Sequence, residues 1–342
     1  MKFDFIIGNP PYQENVQNKG ERPNPLYNLF MEESYKLADC VELITPARFL
    51  FDAGQTPKAW NNKMLNDEHL KVLYYNPDPK GVFNNTEIKG GVAITIRDCN
   101  QVLGPIKTFT KYPELDDIMN SVFAIHDGLC LDSIVSPRGT YRLTDSFFED
   151  YPDASSRLGK GTGNMIASNF FECIPEAWEE EPSNDTEYYG ILCRIGNERK
   201  TCYIQQKYVR NNEFIGGYNV ASPKSNGNGV FGEVLTSTVI VPPNYGTADS
   251  FISIGSMETE YEAQSLTKYI KTKFLRTMLG IKKVTQDNSK SVWCMIPIQD
   301  FTQNSDIDWT KSISGIDEQL YKKYALDAKE IEFIETHVKE ME

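Results

Sequence analysis

The stretch that most narrows the fold stands at the amino end, where Phe3-Asp4-Phe5-Ile6-Ile7-Gly8 runs directly into Asn9-Pro10-Pro11-Tyr12. Phe3, Phe5, Ile6 and Ile7 make a run apolar enough for a buried position in a parallel sheet. Pro10 and Pro11 must end that strand, because a proline has no N–H to give to a ladder. The residues after Asn9 therefore make a stiff turn at a strand's carboxyl end, the place where open α/β sheets receive ligands.

Residues 1 to about 110 alternate between strand and helix patterns. Leu26, Leu29, Phe30, Tyr35 and Leu37 recur at helical spacing, Val41–Thr45 reads as a strand, and Pro46 breaks that strand into a turn or short helix. A second helix is expected over 57–67, with strands over 70–76 and 91–98. Four strands with helices between them predict a sheet of βα units. The long loop before the last strand leaves antiparallel pairing of the final two open. A chain that opens on a buried-type strand has no earlier unit to flank it, so Met1 reads as an internal methionine or a fragment start. From 111 onward short apolar segments are cut by Gly, Pro and polar clusters. Strands are expected over 188–195, 200–209, 234–241 and 250–256, one helix over Glu260–Leu279, and a helical pair over 316–326 and 328–338 with Asp327 as a cap. The expectation is a mixed α+β domain over 111–342.

With 342 residues, 40% of them hydrophobic, the chain can bury two separate cores. It has no run near the roughly 20 apolar residues of a membrane span and no leader pattern, so cytoplasmic residence is expected. Seven cysteines without a CxxC pair read as reduced thiols, and the three histidines are too scattered to nominate a metal cluster or a triad. The acids around Glu179 read as a solvated loop, with no nuclease pattern beside them. A net charge of −13 opposes indiscriminate binding to polyanions, yet Arg199–Val284 holds eleven Lys or Arg against six Asp or Glu. Arg199, Lys200, Arg210, Lys224, Lys271, Lys273, Lys282 and Lys283 are accordingly candidates for contacting DNA phosphates, against the alternative that they are solvated surface charges.

The chemistry concentrates in the tetrapeptide. Fixed φ at two consecutive prolines lets the Asn9 side-chain oxygen and the Pro10 carbonyl be aimed at small entropic cost, and Tyr12 adds a flat face on which a base can stack. Two aimed acceptors suit a planar amino group. An exocyclic adenine amine is a poor nucleophile because its lone pair is delocalised; paired acceptors orient its hydrogens and stabilise the positive charge that grows as nitrogen attacks a methyl group. By composition alone the same four residues also read as a plain turn.

Asn9-Pro10-Pro11-Tyr12 behind this strand resembles the catalytic motif of the N6-adenine DNA methyltransferases of type II and IIG restriction-modification systems. Downstream, Val41–Leu50 and Leu70–Asp98 resemble the family's following strands, with Phe83 at its loop aromatic. The resemblance implies a partial doubly wound methyltransferase sheet over 1–110 and a target-recognition domain over 111–342. It further implies S-adenosylmethionine as methyl donor and double-stranded DNA with its target adenine rotated out of the helix. On that basis Asn9 and Pro10 accept from the adenine amine, Pro11 completes the motif, Tyr12 and Phe83 clamp the ring, and Asn9 touches the cofactor.

The family's glycine-rich cofactor fingerprint should precede the motif, and no such element does; Gly159–Asn164 reads as a flexible loop. The expectation is thus a chain inactive alone, completed by a missing amino-terminal segment or a partner subunit. The rival readings are a DNA-recognition subunit without catalysis, and an amino-methyltransferase acting on RNA or a protein amide.

Overall fold

The computed structural model describes residues 3–15, 23–78, 88, 90–159, 164–182, 186–196 and 198–341. Phe83 and the glycine-rich positions 160–163 lie outside the described residues. The chain divides into two compact units, Met1–Asp116 and Asp117–Glu342.

The first unit is built on β1 (Phe3–Gly8), α1 (Tyr27–Leu37), β2 (Ala38–Pro46), α2 (Lys58–Leu65), β3 (Leu70–Asn76) and β4 (Val92–Asp98). The strands form one sheet in the order β1-β2-β4-β3. β1 and β2 are parallel, with α1 as the connection between them, whereas β4 is antiparallel to both of its neighbours. A turn of 3-10 helix, Ala47–Phe51, follows Pro46. The core gathers Met31, Val41, Phe49, Leu50, Trp60, Met64 and Leu70, all buried.

One expectation fails here. β1 is parallel-paired but is not buried: it is the edge strand, with Phe3 and Phe5 each 48% exposed and Ile7 70% exposed. Among the described residues no strand pairs with its outer edge, and its apolar side chains, Ile6 excepted, stay about half or more in solvent. Leu29, Phe30 and Leu37 of α1 are exposed as well. The sheet is mixed α/β: two βαβ units, β1-α1-β2 and β2-α2-β3, run the same way, and the antiparallel β4 lies between β2 and β3.

α3 (Pro113–Ile125) carries the chain into the second unit, where α4 (Asp145–Asp150), α5 (Ala154–Arg157) and α6 (Phe170–Cys173) precede the strands. β5 (Tyr188–Ile195), β6 (Glu198–Gln205) and β9 (Tyr245–Thr247) make one sheet; β7 (Tyr218–Pro223), β8 (Val239–Val241) and β10 (Phe251–Met257) make another. Phe147, Phe170, Phe171, Ile191 and Ile204 are fully buried in the core against β5 and β6.

The expected helix over 260–279 is two helices, α7 (Glu260–Lys271) and α8 (Lys273–Lys282). Thr272 leaves the helical region at ψ 149 and its side chain accepts from Leu275 N. Asp317 then accepts from Lys273 N at 3.0 Å and Phe274 N at 2.8 Å, satisfying donors that a helix start leaves open. That carboxylate comes from α9 (Ile313–Lys323), more than forty residues on. α10 (Ala328–His337) begins on Asp327 with a full capping box to Glu330. No helix among the described residues is long and apolar enough to cross a membrane.

Candidate active site

β1 delivers Asn9 to one edge of the sheet. Because β1 and β2 are parallel, with Gly8 opposite Leu43, their carboxyl ends lie at the same edge, and Pro46 and Arg48 follow β2 there. The loop beyond Asn9 folds back on the residues before α1. Leu26 N donates to the Tyr12 carbonyl at 3.1 Å, Glu14 N donates to Asn24 O at 3.0 Å, and Asn24 Nδ2 donates to a Glu14 carboxylate oxygen at 2.8 Å. Two fixed φ angles and these ties hold the tetrapeptide as a rigid bend.

The bend opens on a cavity of about 450 Å³, lined by Asn9, Pro10, Tyr12, Tyr27, Arg48 and Gln55 among others. That volume is in the range of small-molecule sites. Asn9 is exposed and Tyr12 half-buried, so both present surface to the cavity; Pro11 is exposed and does not line it. Tyr27 is buried, with Phe49 at 6.2 Å and Trp60 edge-on at 6.1 Å between ring centroids, which makes its side of the cavity a firm wall.

Burial pushes the Tyr12 phenol up to about 12. It does the same to Tyr27, against smaller opposing effects of the Thr56 hydrogen bond and the Arg48 charge. Both rings stay neutral at physiological pH, and Arg48 is the cation among the described lining residues. Gly90 makes room for that side chain: at φ +88° a Cβ there would stand 2.9 Å from Arg48 Cγ. Gln55 sits on a turn fixed by Asp52, which accepts from Lys58 Nζ at 2.6 Å and Asn61 Nδ2 at 2.9 Å; Thr56 donates to Asn61 Oδ1 at 2.7 Å.

The cavity thus joins two acceptors, a flat ring and a positive charge, which is chemistry suited to an amino-bearing heterocycle attached to an anion. Arg48, Gln55 and Tyr27 are site residues that the sequence alone did not nominate. The signal was there for Arg48, since parallel strands put the residues after β2 beside those after β1.

The basic candidates of the second unit do not form one group. Arg199 stacks over Phe251 at 5.7 Å, Lys200 lies 3.4 Å from Glu180, and Arg210 donates to the Leu143 carbonyl and pairs with Asp145. Lys271 and Lys282 are half-buried at the ends of α7 and α8. Two lysines are internal. Lys283 is buried and pairs with Glu233 at 3.0 Å, and Lys273 reaches Glu335 at 2.5 Å with its side chain 12% exposed. These two hold elements together. Lys224 borders a cleft of its own, together with Arg138 and Lys290.

Residues 1–83, which include the apolar strand ending in Asn-Pro-Pro-Tyr at the mouth of this cavity, match the Eco57I restriction-modification methylase family. Over 100 residues the chain is 32% identical to an uncharacterized adenine-specific methylase of Mycoplasma pneumoniae (strain ATCC 29342 / M129 / Subtype 1). That match covers 28% of this chain and 24% of the relative, so the chain spans about a quarter of the length of the curated relative it matches.

Methylases of this family generally use S-adenosylmethionine. Asn9 could touch its methionine portion, but the cavity lining offers no carboxylate among the described residues to accept from the ribose hydroxyls. The described lining fits a planar, amino-bearing ring better than it fits the whole cofactor.

Proposed function

We propose that the chain carries the adenine-binding half of a site-specific N6-adenine DNA methyltransferase of restriction-modification type. The observation that carries this reading is the convergence of Asn9, Pro10 and Tyr12 on one cavity that also takes in Arg48. An adenine turned out of the duplex stacks on Tyr12 while the Asn9 side-chain oxygen and the Pro10 carbonyl accept from its amine. These bonds turn the nitrogen lone pair out of the ring's conjugation and stabilise the charge that nitrogen acquires in the transition state. Phe83 is proposed as the opposite jaw of the clamp. Arg48 favours an anionic nucleotide over the neutral amide of a protein substrate. S-adenosylmethionine, when bound, supplies the electrophilic methyl group.

The exposed apolar side of β1 and α1 supports the second element of the reading, that a further segment completes the enzyme. A segment added beside β1 would pair its open edge and cover Phe3, Phe5 and Ile7, and the acceptors for the cofactor's ribose hydroxyls would come with it. Arg199, Lys200, Arg210 and Lys224 are retained as candidate DNA contacts of the second unit.

The test is product analysis. The chain is incubated with labelled S-adenosylmethionine and duplex DNA, alone and with a cofactor-binding methyltransferase segment, and the DNA is hydrolysed to nucleosides. N6-methyladenine formed only in the mixture is the expected product. Methyl label recovered in RNA or on protein glutamine, with none in DNA, overturns the reading, and sequence-specific binding without any transfer favours the recognition-subunit alternative.

A further inference from the structure

The second unit holds a cleft of about 40 Å³ bordered by the loop 136–141, Ile166, Lys224, the stretch 247–252 and Ser289–Lys290. By this measure a cavity of 10 to 15 Å³ takes one water, so the space admits a few waters or one tetrahedral oxyanion. Its lining carries three cations, Arg138, Lys224 and Lys290, and one carboxylate, Asp249. The cleft thus carries a local excess of positive charge on a chain of net charge −13.

Two of the cations, Arg138 and Lys224, are held in place. Lys224 N donates to Ser250 O at 2.9 Å and its carbonyl accepts from Asn288 N at 2.8 Å, which ties the 247–252 stretch to the residues before Ser289 through one residue. Asp249, its side chain only 17% exposed, lies 3.4 Å from Arg138 Nε and 3.9 Å from Lys224 Nζ. The carboxylate thus faces the Nε edge of the guanidinium, and the side chain of Arg138 is otherwise 63% exposed. The loop is stitched by Ser136, whose N donates to Ser253 O at 2.8 Å and whose hydroxyl accepts from Ser253 N at 2.9 Å. At Gly139, φ +73°, a Cβ would collide with the Met165 side chain, so the turn that presents Arg138 needs glycine.

We infer that this cleft seats one backbone phosphate of the DNA duplex. Arg138 and Lys290 supply the charge at the rim, Lys224 the charge at the floor, and Asp249 orients Arg138 and Lys224 without neutralising the group. A phosphodiester fits the chemistry because guanidinium and ammonium donors arranged about a single oxyanion give strong charge-assisted bonds. Free inorganic phosphate shares that chemistry and is the competing source. The inference rests on the proposed action on DNA.

The experiment measures duplex binding by fluorescence anisotropy across a salt series, for the full chain and for Arg138→Gln/Lys290→Gln. Lys224 and Asp249 stay unaltered, so the cleft's packing is kept, and Lys329→Gln on α10 is the surface control. Equal melting temperatures confirm that the variants fold. The expected result is about a tenfold loss of affinity in the double variant, with a salt slope shallower by about 1 and no change in the control. Unaltered affinity in the double variant, with the parent chain binding well, overturns this site and leaves the methyltransferase reading standing. Inorganic phosphate titrated by calorimetry provides the other arm: a site that loses phosphate binding on mutation while DNA binding is unchanged takes free anion, which overturns the DNA assignment. A parent chain with no affinity for duplex, either alone or together with a cofactor-binding methyltransferase segment, overturns both.

Discussion

Leu26 gives its backbone N–H to the Tyr12 carbonyl at 3.1 Å, so the motif tyrosine and the entrance to α1 form one piece. The ring is therefore positioned by the helix that connects the parallel strands as well as by the prolines before it. Tyr12→Phe keeps the face and should stay within about twofold of the parent in base capture, read by fluorescence of 2-aminopurine at the target position. Tyr12→Ala removes the face and should weaken capture by about ten- to a hundredfold, the usual worth of one base–aromatic stack. Equal losses for the two variants would show that the phenol oxygen, not the ring, is what matters.

The open edge of β1 makes a separate prediction. Ile7 is 70% exposed, so Ile7→Lys should cost the isolated chain little stability and should reduce its self-association in size-exclusion chromatography with light scattering. The same substitution should block complementation by a cofactor-binding segment. Full complementation by the Ile7→Lys chain would mean that nothing packs on this face.

Asp317 gives the fold a pH signature. Burial raises its carboxyl to about 6, against the lowering effect of the two α8 backbone N–H groups it accepts from. The folded value lies above the unfolded one, so the contribution is fully present below about pH 4 and is lost as pH rises through 6. Relative to Asp317→Asn, the parent should therefore lose stability across that window, by roughly 3 kcal/mol at most, and the gap should be flat above pH 7. Thermal melts of both proteins at pH 4, 5, 6 and 7 check this; a gap independent of pH would contradict it.

Lys283 and Glu233 make a buried pair at 3.0 Å, with the lysine side chain 3% exposed. Lys283→Ala leaves the partly buried Glu233 carboxylate to the Asn228 and Gly229 N–H groups and should cost about 1.5 to 3 kcal/mol in denaturant melts. Its salt slope for DNA should equal the parent's. A shallower slope with unchanged stability would return Lys283 to the set of phosphate contacts.

Much of the fold was legible where one local pattern sufficed. β3 at Leu70–Asn76 and β5 at Tyr188–Ile195 are apolar runs bounded by turn residues, and Asp327 caps α10 through residues three positions away. The features that escaped depend on distant chain. The break at Thr272 is invisible in apolar spacing because α7 and α8 both keep an apolar stripe, while the carboxylate that caps the second helix arrives from Asp317. The apolar residues of β1 suggested burial, but apolar composition alone does not place a covering element, and the strand is the exposed edge of its sheet. At the site, the motif was legible as a turn with two acceptors. The cavity behind it was not, since Arg48 and Gln55 reach it only through the parallel register of β1 and β2.

The proposed chemistry turns on Asn9 acting on the amine of the flipped base. In the complemented enzyme, single-turnover methyl transfer by Asn9→Ala should fall by about a hundred- to a thousandfold, the scale expected when one transition-state hydrogen-bond partner is lost, while duplex affinity stays within about twofold. Transfer at the parent rate by Asn9→Ala, or a loss matched by an equal loss of DNA binding, would contradict it.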